Sequence, residues 1–257
     1  MKKLLFVLSL CASLFANEKV IKIGVTPYPT AVILENVRDL VENEGFKLEI
    51  IEFDNYIVPN YALNDGELDA NFTQSKPFLD AFNKERGTKI ASTGKIFVAP
   101  MAAYSSIHKD IKDLPKNALI YIPGDPISGN RALDLLEKHG IIGFSKDLKS
   151  DLKSILDITE NPLNVVIKEI EAPQLTRTLK ECDLAVINTN YALVAGLNPI
   201  RDSLVHEDIN SDYINVLAVR IGDENSPKTK ALLKAMQSEK MREFLNKNFK
   251  DVLLPSF

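Results

Sequence analysis

Two long extended apolar stretches, Lys95 to Tyr104 and Ile214 to Ile221, interrupt an otherwise regular alternation of short β-branched runs and helical-period segments. The alternation is the mark of parallel strands joined by crossover helices. The first has no helix partner and the second is of similar character, so both read as crossovers between lobes. Ile21 to Val25 reads as a first strand, broken by Thr26-Pro27-Tyr28-Pro29-Thr30. The spacing of Val32, Ile33, Val37, Leu40 and Val41, with Gly45 as a stop, predicts one helix. Leu48 to Phe53 is the next strand, then a short helix from Pro59 to Asn64, a strand from Leu68 to Asn71 and a helix from Pro77 to Arg86. Between the crossovers lies a second αβ series. It has strands at Leu119 to Ile122, Val165 to Ile170 and Leu184 to Ile187, and helices at Arg131 to His139 and Leu175 to Glu181. Pro227 to Phe249 reads as one amphipathic helix. The expected architecture is α/β, a second lobe at 103–215 inserted in a first lobe of 17–102 plus 216–257, with a ligand cleft between them at strand C-termini.

The first sixteen residues carry a different message. Met1-Lys2-Lys3 is a short positive region, Leu4 to Phe15 is apolar, and Ala16 is a small residue before polar Asn17-Glu18-Lys19. This is the pattern of a secretory leader over residues 1–16, and the apolar run is shorter than the ~20 residues a bilayer span requires. Cys11 opens a second processing route, since Leu8-Ser9-Leu10-Cys11 resembles a lipidation box in which the cysteine becomes the acylated N-terminus. Bulky Leu10 fits that box poorly, and Ala16 offers conventional cleavage. The exported protein is then periplasmic, either soluble or lipid-anchored. Cys182, between a helical pattern and a strand, reads as a small buried hydrophobe.

Composition removes several classes of function. The 257 residues include 31 Lys plus Arg against 35 Asp plus Glu, a formal net charge of −4, with no Trp. That balance argues against a nucleic-acid or polybasic membrane partner. His108, His139 and His206 stand far apart without a second ligand at metal-binding spacing. Asp65-Gly66-Glu67-Leu68-Asp69 lacks the glycine and bidentate Glu of a calcium loop, having Ala70 and Lys76 at those places. No nucleophile elbow, phosphate loop or dinucleotide fingerprint is present. No metal or cofactor is implied, and the thin catalytic inventory points to binding.

Polar residues just after strands carry the candidate site, because strand ends in such folds face the ligand. Tyr28 follows the first strand, Tyr56 the second, Phe72 to Ser75 the third, and Asn188-Thr189-Asn190-Tyr191 follow Leu184 to Ile187. Ser128-Gly129-Asn130-Arg131 lies at an expected helix N-terminus, where backbone N–H groups and a guanidinium fork suit a carboxylate. A first-turn Arg on a solvated surface is the competing reading.

These residues resemble the NlpA/MetQ methionine-binding lipoproteins, substrate-binding components of ABC importers. The carriers include Lys22-Ile23-Gly24-Val25-Thr26-Pro27, Asp54-Asn55-Tyr56, Asp69-Ala70-Asn71 with Gln74 and Lys76-Pro77, and Asp125-Pro126 with Arg131-Ala132-Leu133. Glu171-Ala172-Pro173-Gln174-Leu175, Ala185 to Ala192 and Tyr213-Ile214-Asn215-Val216 continue the match over nearly all the mature chain. The resemblance implies a two-lobed periplasmic-binding-protein (type II) fold that closes on a free amino acid, and a permease with its ATPase as partners. It implies that Arg131 pairs with the α-carboxylate, while Asn188 and Asn215 bond the amino and carboxylate groups. Tyr56, Phe72, Thr73 and Ser75 would line the side-chain pocket, with Tyr28, Ser128 and Asn190 nearby.

Thr73-Gln74-Ser75 departs from the family's aromatic-Gln-His run, Thr30 stands for a His after Pro29, and Ser128 for an Asn. Methionine is therefore the leading ligand, with another amino acid or a small methionine-containing peptide as alternatives. An exported enzyme on the same scaffold would need a general acid or base, for which Asp54, Asp125 and Glu160 are the available carboxylates.

Overall fold

The computed structural model describes residues 19–148, 150, 152–208 and 212–257. The leader and Cys11 lie outside the described residues. In chain order the strands are β1 (Val20–Val25), β2 (Lys47–Glu52), β3 (Ala70–Ser75), β4 (Ile90–Val98), β5 (Ala102–Tyr104), β6 (Leu119–Pro123) and β7 (Gly143–Phe144). There follow β8 (Ile158–Glu160), β9 (Val166–Ile170), β10 (Leu184–Ile187), β11 (Val205–His206), β12 (Ile214–Arg220) and β13 (Leu254–Pro255). The described chain falls into two compact units. Unit 1 holds the residues up to Phe97, Asn215–Asn248 and Pro255–Phe257; unit 2 holds Val98–Ile214 and Phe249–Leu254.

Unit 1 is built on a six-stranded sheet ordered β13-β4-β12-β3-β1-β2. β1 is parallel to both β2 and β3, so all three leave their carboxyl ends at one edge, while β12 runs antiparallel to β3. Leu63, Leu68, Leu79, Ile90, Val216 and Ala218 pack as one apolar cluster against it. Gly24 in β1 is required by close approach, since a Cβ there would stand 2.5 Å from Asn71 Oδ1.

Unit 2 carries a five-stranded sheet ordered β11-β5-β10-β6-β9. Side chains alternate across a strand with period two, so each strand feeds two cores. Leu184 and Val186 of β10 join Ile120 and Ile122 of β6 on one face, with Leu133 and Leu136 of the helix Pro126–Lys138. Ala185 and Ile187 point to the other face, with Tyr104, Leu175 and Cys182. Burial pushes the Cys182 thiol up to about 11, as expected of a cysteine serving as packing.

The structure corrects several expectations. Lys95 to Tyr104 is two strands in different sheets, β4 and β5, broken at Ala99-Pro100-Met101 because Pro100 has no N–H to continue a ladder. Unit 2 accordingly begins at Val98, earlier than the expected 103, Asn215 falls in unit 1, and Phe249–Leu254 joins unit 2. The first helix is two, Val32–Asn36 and Arg38–Asn43, broken at Val37 with φ −111° and ψ 9°. The C-terminal helix is also two, Pro227–Met236 and Glu239–Asn248. A run of 3₁₀ turns, Ala172–Lys180, replaces the helix expected at Leu175 to Glu181. The third strand extends to Ser75, so Phe72 to Ser75 lie within it rather than after it. The helix expected from Arg131 starts at Pro126, with Asp125 as its cap.

Candidate ligand site

In unit 1 the carboxyl edge of β1, β2 and β3 gathers neutral groups. Tyr28, half-buried, follows β1 in the Pro27–Ala31 turn with φ −140° and ψ 138°. Tyr56, half-buried after β2, lies edge-on to Phe78 at 5.7 Å between centroids. Thr73 and Ser75 are buried at the end of β3, and Asn215 of β12 stands opposite Ser75 in the antiparallel register. Thr73 Oγ1 is buried without a hydrogen-bond partner among the described residues. Phe72 is fully buried, with its ring edge-on to Phe97 at 5.4 Å, as a core residue would be.

An amide cluster supports this edge. Asn60 and Gln74 exchange two hydrogen bonds of 2.7 Å, and Asn71 Nδ2 donates to Asn60 Oδ1 at 3.1 Å and to the Pro59 carbonyl at 2.7 Å. Mutual hydrogen bonds offset the burial of these amides, although Asn71 Oδ1 has no partner among the described residues. Thr30 Oγ1 likewise donates to the Thr26 carbonyl at 2.7 Å, which pins the turn that carries Tyr28.

The corresponding edge of unit 2 is charged. β6 and β10 are adjacent and parallel, so the helix Pro126–Lys138 and Asn188 leave the sheet at the same edge. Asp125 caps that helix by accepting from the Ser128 N–H at 2.8 Å. The cap uses the amide that was expected to face a carboxylate, which corrects the helix-terminus argument for Ser128. Burial pushes the Asp125 carboxyl above its ordinary value, although cap hydrogen bonds from Ser128 and Ile127 pull the other way.

Arg131 lies on the second turn, not the first. Its Nε donates to Glu207 Oε1 at 2.7 Å, and its Nη2 to Glu207 Oε2 at 2.5 Å and to the Ala99 carbonyl at 2.9 Å. Both side chains of the pair are 11% exposed. The guanidinium sits 4.1 Å from the centroid of the Tyr213 ring, whose phenol is raised by burial against an opposing influence from Arg131. Asn188 is the buried residue preceding the helix Thr189–Val194, and its Oδ1 has no hydrogen-bond partner among the described residues. Thr189 Oγ1 donates to the Pro100 carbonyl, and Asn190 is half-buried.

Within unit 1 the structure thus brings Tyr28, Tyr56, Thr73, Ser75 and Asn215 to one sheet edge, and within unit 2 Ser128, Arg131, Asn188 and Asn190. None of them lines the cavity of about 450 Å³ bounded by Lys138, His206 and Asp208. Sequence reasoning missed Glu207, Tyr213 and Asn60. Nothing local marks Glu207, which stands 76 residues from Arg131. Among the described residues no three His, Cys, Asp or Glu side chains gather to hold a metal ion, and no helix is long and apolar enough to cross a membrane.

An α/β chain in two compact units, with a paired arginine and an amide oxygen unpartnered among the described residues at one sheet edge, has the features of a small-solute binder. The chain belongs to the NlpA lipoprotein family, whose model matches residues 21–257. It is 40% identical over 232 residues to the D-methionine-binding lipoprotein MetQ of Salmonella typhi, spanning 89% of this chain and 85% of the relative. It is 38% identical to outer membrane lipoprotein 3 of Mannheimia haemolytica over 93% of this chain and 91% of the relative. Among solved structures it resembles a nutrient binding protein from Burkholderia cenocepacia bound to methionine, with a TM-score of 0.89 and 42% identity over 92% of this chain and all of that one. A periplasmic substrate-binding protein of an ABC transporter from Coxiella burnetii gives a TM-score of 0.86 at 40% identity, again over 92% of this chain and 100% of that one. The α/β fold class expected from the strand and helix pattern is the class of these substrate-binding proteins.

Proposed function

We propose that this chain is the solute-binding protein of an ABC importer, and that it captures methionine or a related amino acid and delivers it to the permease. The observation that carries the proposal is Arg131. Its Nε and Nη2 are engaged by Glu207 and Ala99, which leaves Nη1 outside those bonds, at the same edge as the unpartnered Asn188 Oδ1. A zwitterion needs a permanently charged donor for its carboxylate and a neutral acceptor for its ammonium, and these two groups are of those kinds. Arg131 takes the carboxylate, Asn188 and Asn215 bond the amino and carboxylate groups, and Tyr56, Thr73 and Ser75 form the side-chain contacts, with Tyr28, Ser128 and Asn190 beside them; Phe72, packed in the core, supports them from behind. Relatives named for methionine binding support methionine as the ligand. No catalytic role is proposed: Asp125, one of the three carboxylates open to an enzyme reading, serves as a helix cap.

The test is a thermal shift or calorimetric titration of protein unfolded and refolded to strip any co-purified ligand, against the twenty amino acids and methionine dipeptides. Methionine should raise the melting temperature. A melting temperature that no amino acid raises removes the proposal. The protein is proposed to act outside the inner membrane, free or lipid-anchored, and the intact mass of the exported product distinguishes cleavage after Ala16 from acylation at Cys11.

A further inference from the structure

The ion pair that holds Arg131 does more than neutralise it. Both carboxylate oxygens of Glu207 are engaged: Oε1 accepts from Arg131 Nε at 2.7 Å, and Oε2 accepts from Nη2 at 2.5 Å and from the Met101 backbone N–H at 2.8 Å. Glu207 is 9% exposed, and the Met101 amide anchors it to backbone, so it cannot swing with a ligand. The Ala99 carbonyl takes a second bond from Nη2, and the Tyr213 ring lies against the guanidinium at 4.1 Å. A guanidinium is a planar fork of five N–H donors, so fixing one edge fixes the direction of the rest.

We infer that Glu207 is a positioning residue for ligand recognition: it holds the Nε/Nη2 edge of Arg131 so that Nη1 is presented in one direction to the carboxylate of an amino acid. The inference rests on the reading of Arg131 as the carboxylate-binding residue. Its chemical consequence concerns ligand class. Arg131 and Glu207 together carry no formal net charge, so the site offers a directed donor rather than a bare cation. It therefore suits a ligand with one carboxylate and a balancing ammonium, and disfavours a second carboxylate.

The test is a double-mutant cycle with the mature protein, read by calorimetry. Glu207→Gln puts an amide N–H₂ where an N–H donor must be accepted, and the affinity for methionine should fall about ten-fold. Affinity for methioninamide, which lacks the carboxylate, should not change, and adding Glu207→Gln to Arg131→Ala should have no further effect. A merely structural role would weaken both ligands equally and would add to Arg131→Ala. Unchanged or tighter methionine binding by Glu207→Gln, or full additivity, overturns the inference. If Arg131→Ala by itself leaves methionine affinity intact, the reading of Arg131 fails instead. Should Glu207→Gln not fold, Glu207→Asp enters the same cycle: it keeps the charge but is one methylene short of reaching both nitrogens and Met101, and the same outcomes decide.

Discussion

The two sheet edges solve the same problem with different chemistry. In unit 1 the buried polar groups are amides and hydroxyls, and Asn60, Asn71 and Gln74 hydrogen-bond to one another without any charge. In unit 2 the central group is a guanidinium, which is affordable in a buried place only with a counterion and further hydrogen bonds, and Glu207, Ala99 and Tyr213 supply them. Both edges nonetheless leave buried oxygens unpartnered among the described residues, Asn71 Oδ1 and Thr73 Oγ1 in unit 1 and Asn188 Oδ1 in unit 2. The contrast accords with the proposal made above, in which Arg131 of unit 2 takes the carboxylate common to all amino acids and neutral groups of unit 1 contact the side chain.

The contrast breaks most visibly at Arg131. Arg131→Ala should weaken ligand binding by roughly 2–5 kcal/mol. It should also destabilise the ligand-free protein by about 3–5 kcal/mol, because Glu207 is left buried and unpaired. Calorimetry and urea unfolding measure the two separately, and unchanged affinity returns Arg131 to a purely structural role. The counterpart in unit 1 is Asn60→Ala, which strips partners from Asn71 and Gln74 and should cost about 1–3 kcal/mol of stability in the same unfolding experiment. A larger loss than that of Arg131→Ala would reverse the ranking of the two edges.

A finer test uses the orphan hydroxyl. Thr73→Val is nearly isosteric and removes an unsatisfied buried donor, so the ligand-free protein should gain roughly 1 kcal/mol in stability. If unit 1 reads the ligand's side chain through that hydroxyl, the same change alters the order of preference among amino acids while leaving the shared contribution of Arg131 intact. Measuring Kd for methionine and for glutamine in both proteins decides this. An identical ratio in the two would deny Thr73 a part in selection.

How much of this was legible depends on whether the information is local. The α/β class, the strands at Ile21, Leu119 and Leu184, and the stop at Gly87, with φ 67°, follow from short-range patterns that the fold obeys. The segment Phe72 to Ser75 misled because Thr73, Gln74 and Ser75 look like a loop until Asn60, from another segment, is seen to pair with Gln74. Glu207 is the extreme case, since a partner 76 residues away leaves no trace in spacing. The start of the helix at Pro126 was readable: an Asp followed by Pro is a cap and a first-turn residue, and the apolar periodicity drew the boundary too late.

That cap yields the smallest and most specific effect. Asp125 accepts the Ser128 N–H, yet burial, aided by Glu171, holds its carboxyl above the ordinary value. The folded protein therefore keeps the proton longer than the unfolded chain. Asp125 thus contributes stability below its ordinary pKa that is lost as pH rises through the raised one. Asn caps as well as Asp and does not titrate, so Asp125→Asn should gain on the wild type between pH 3 and pH 7, whereas Asp125→Ala, having no cap at all, should stand about 1 kcal/mol below Asp125→Asn at both. Urea unfolding of the three proteins at the two pH values reads the comparison. A gap between Asn and wild type that narrows as pH rises would mean that the cap's hydrogen bonds outweigh its burial, and that the helix carrying Arg131 is held by a true carboxylate.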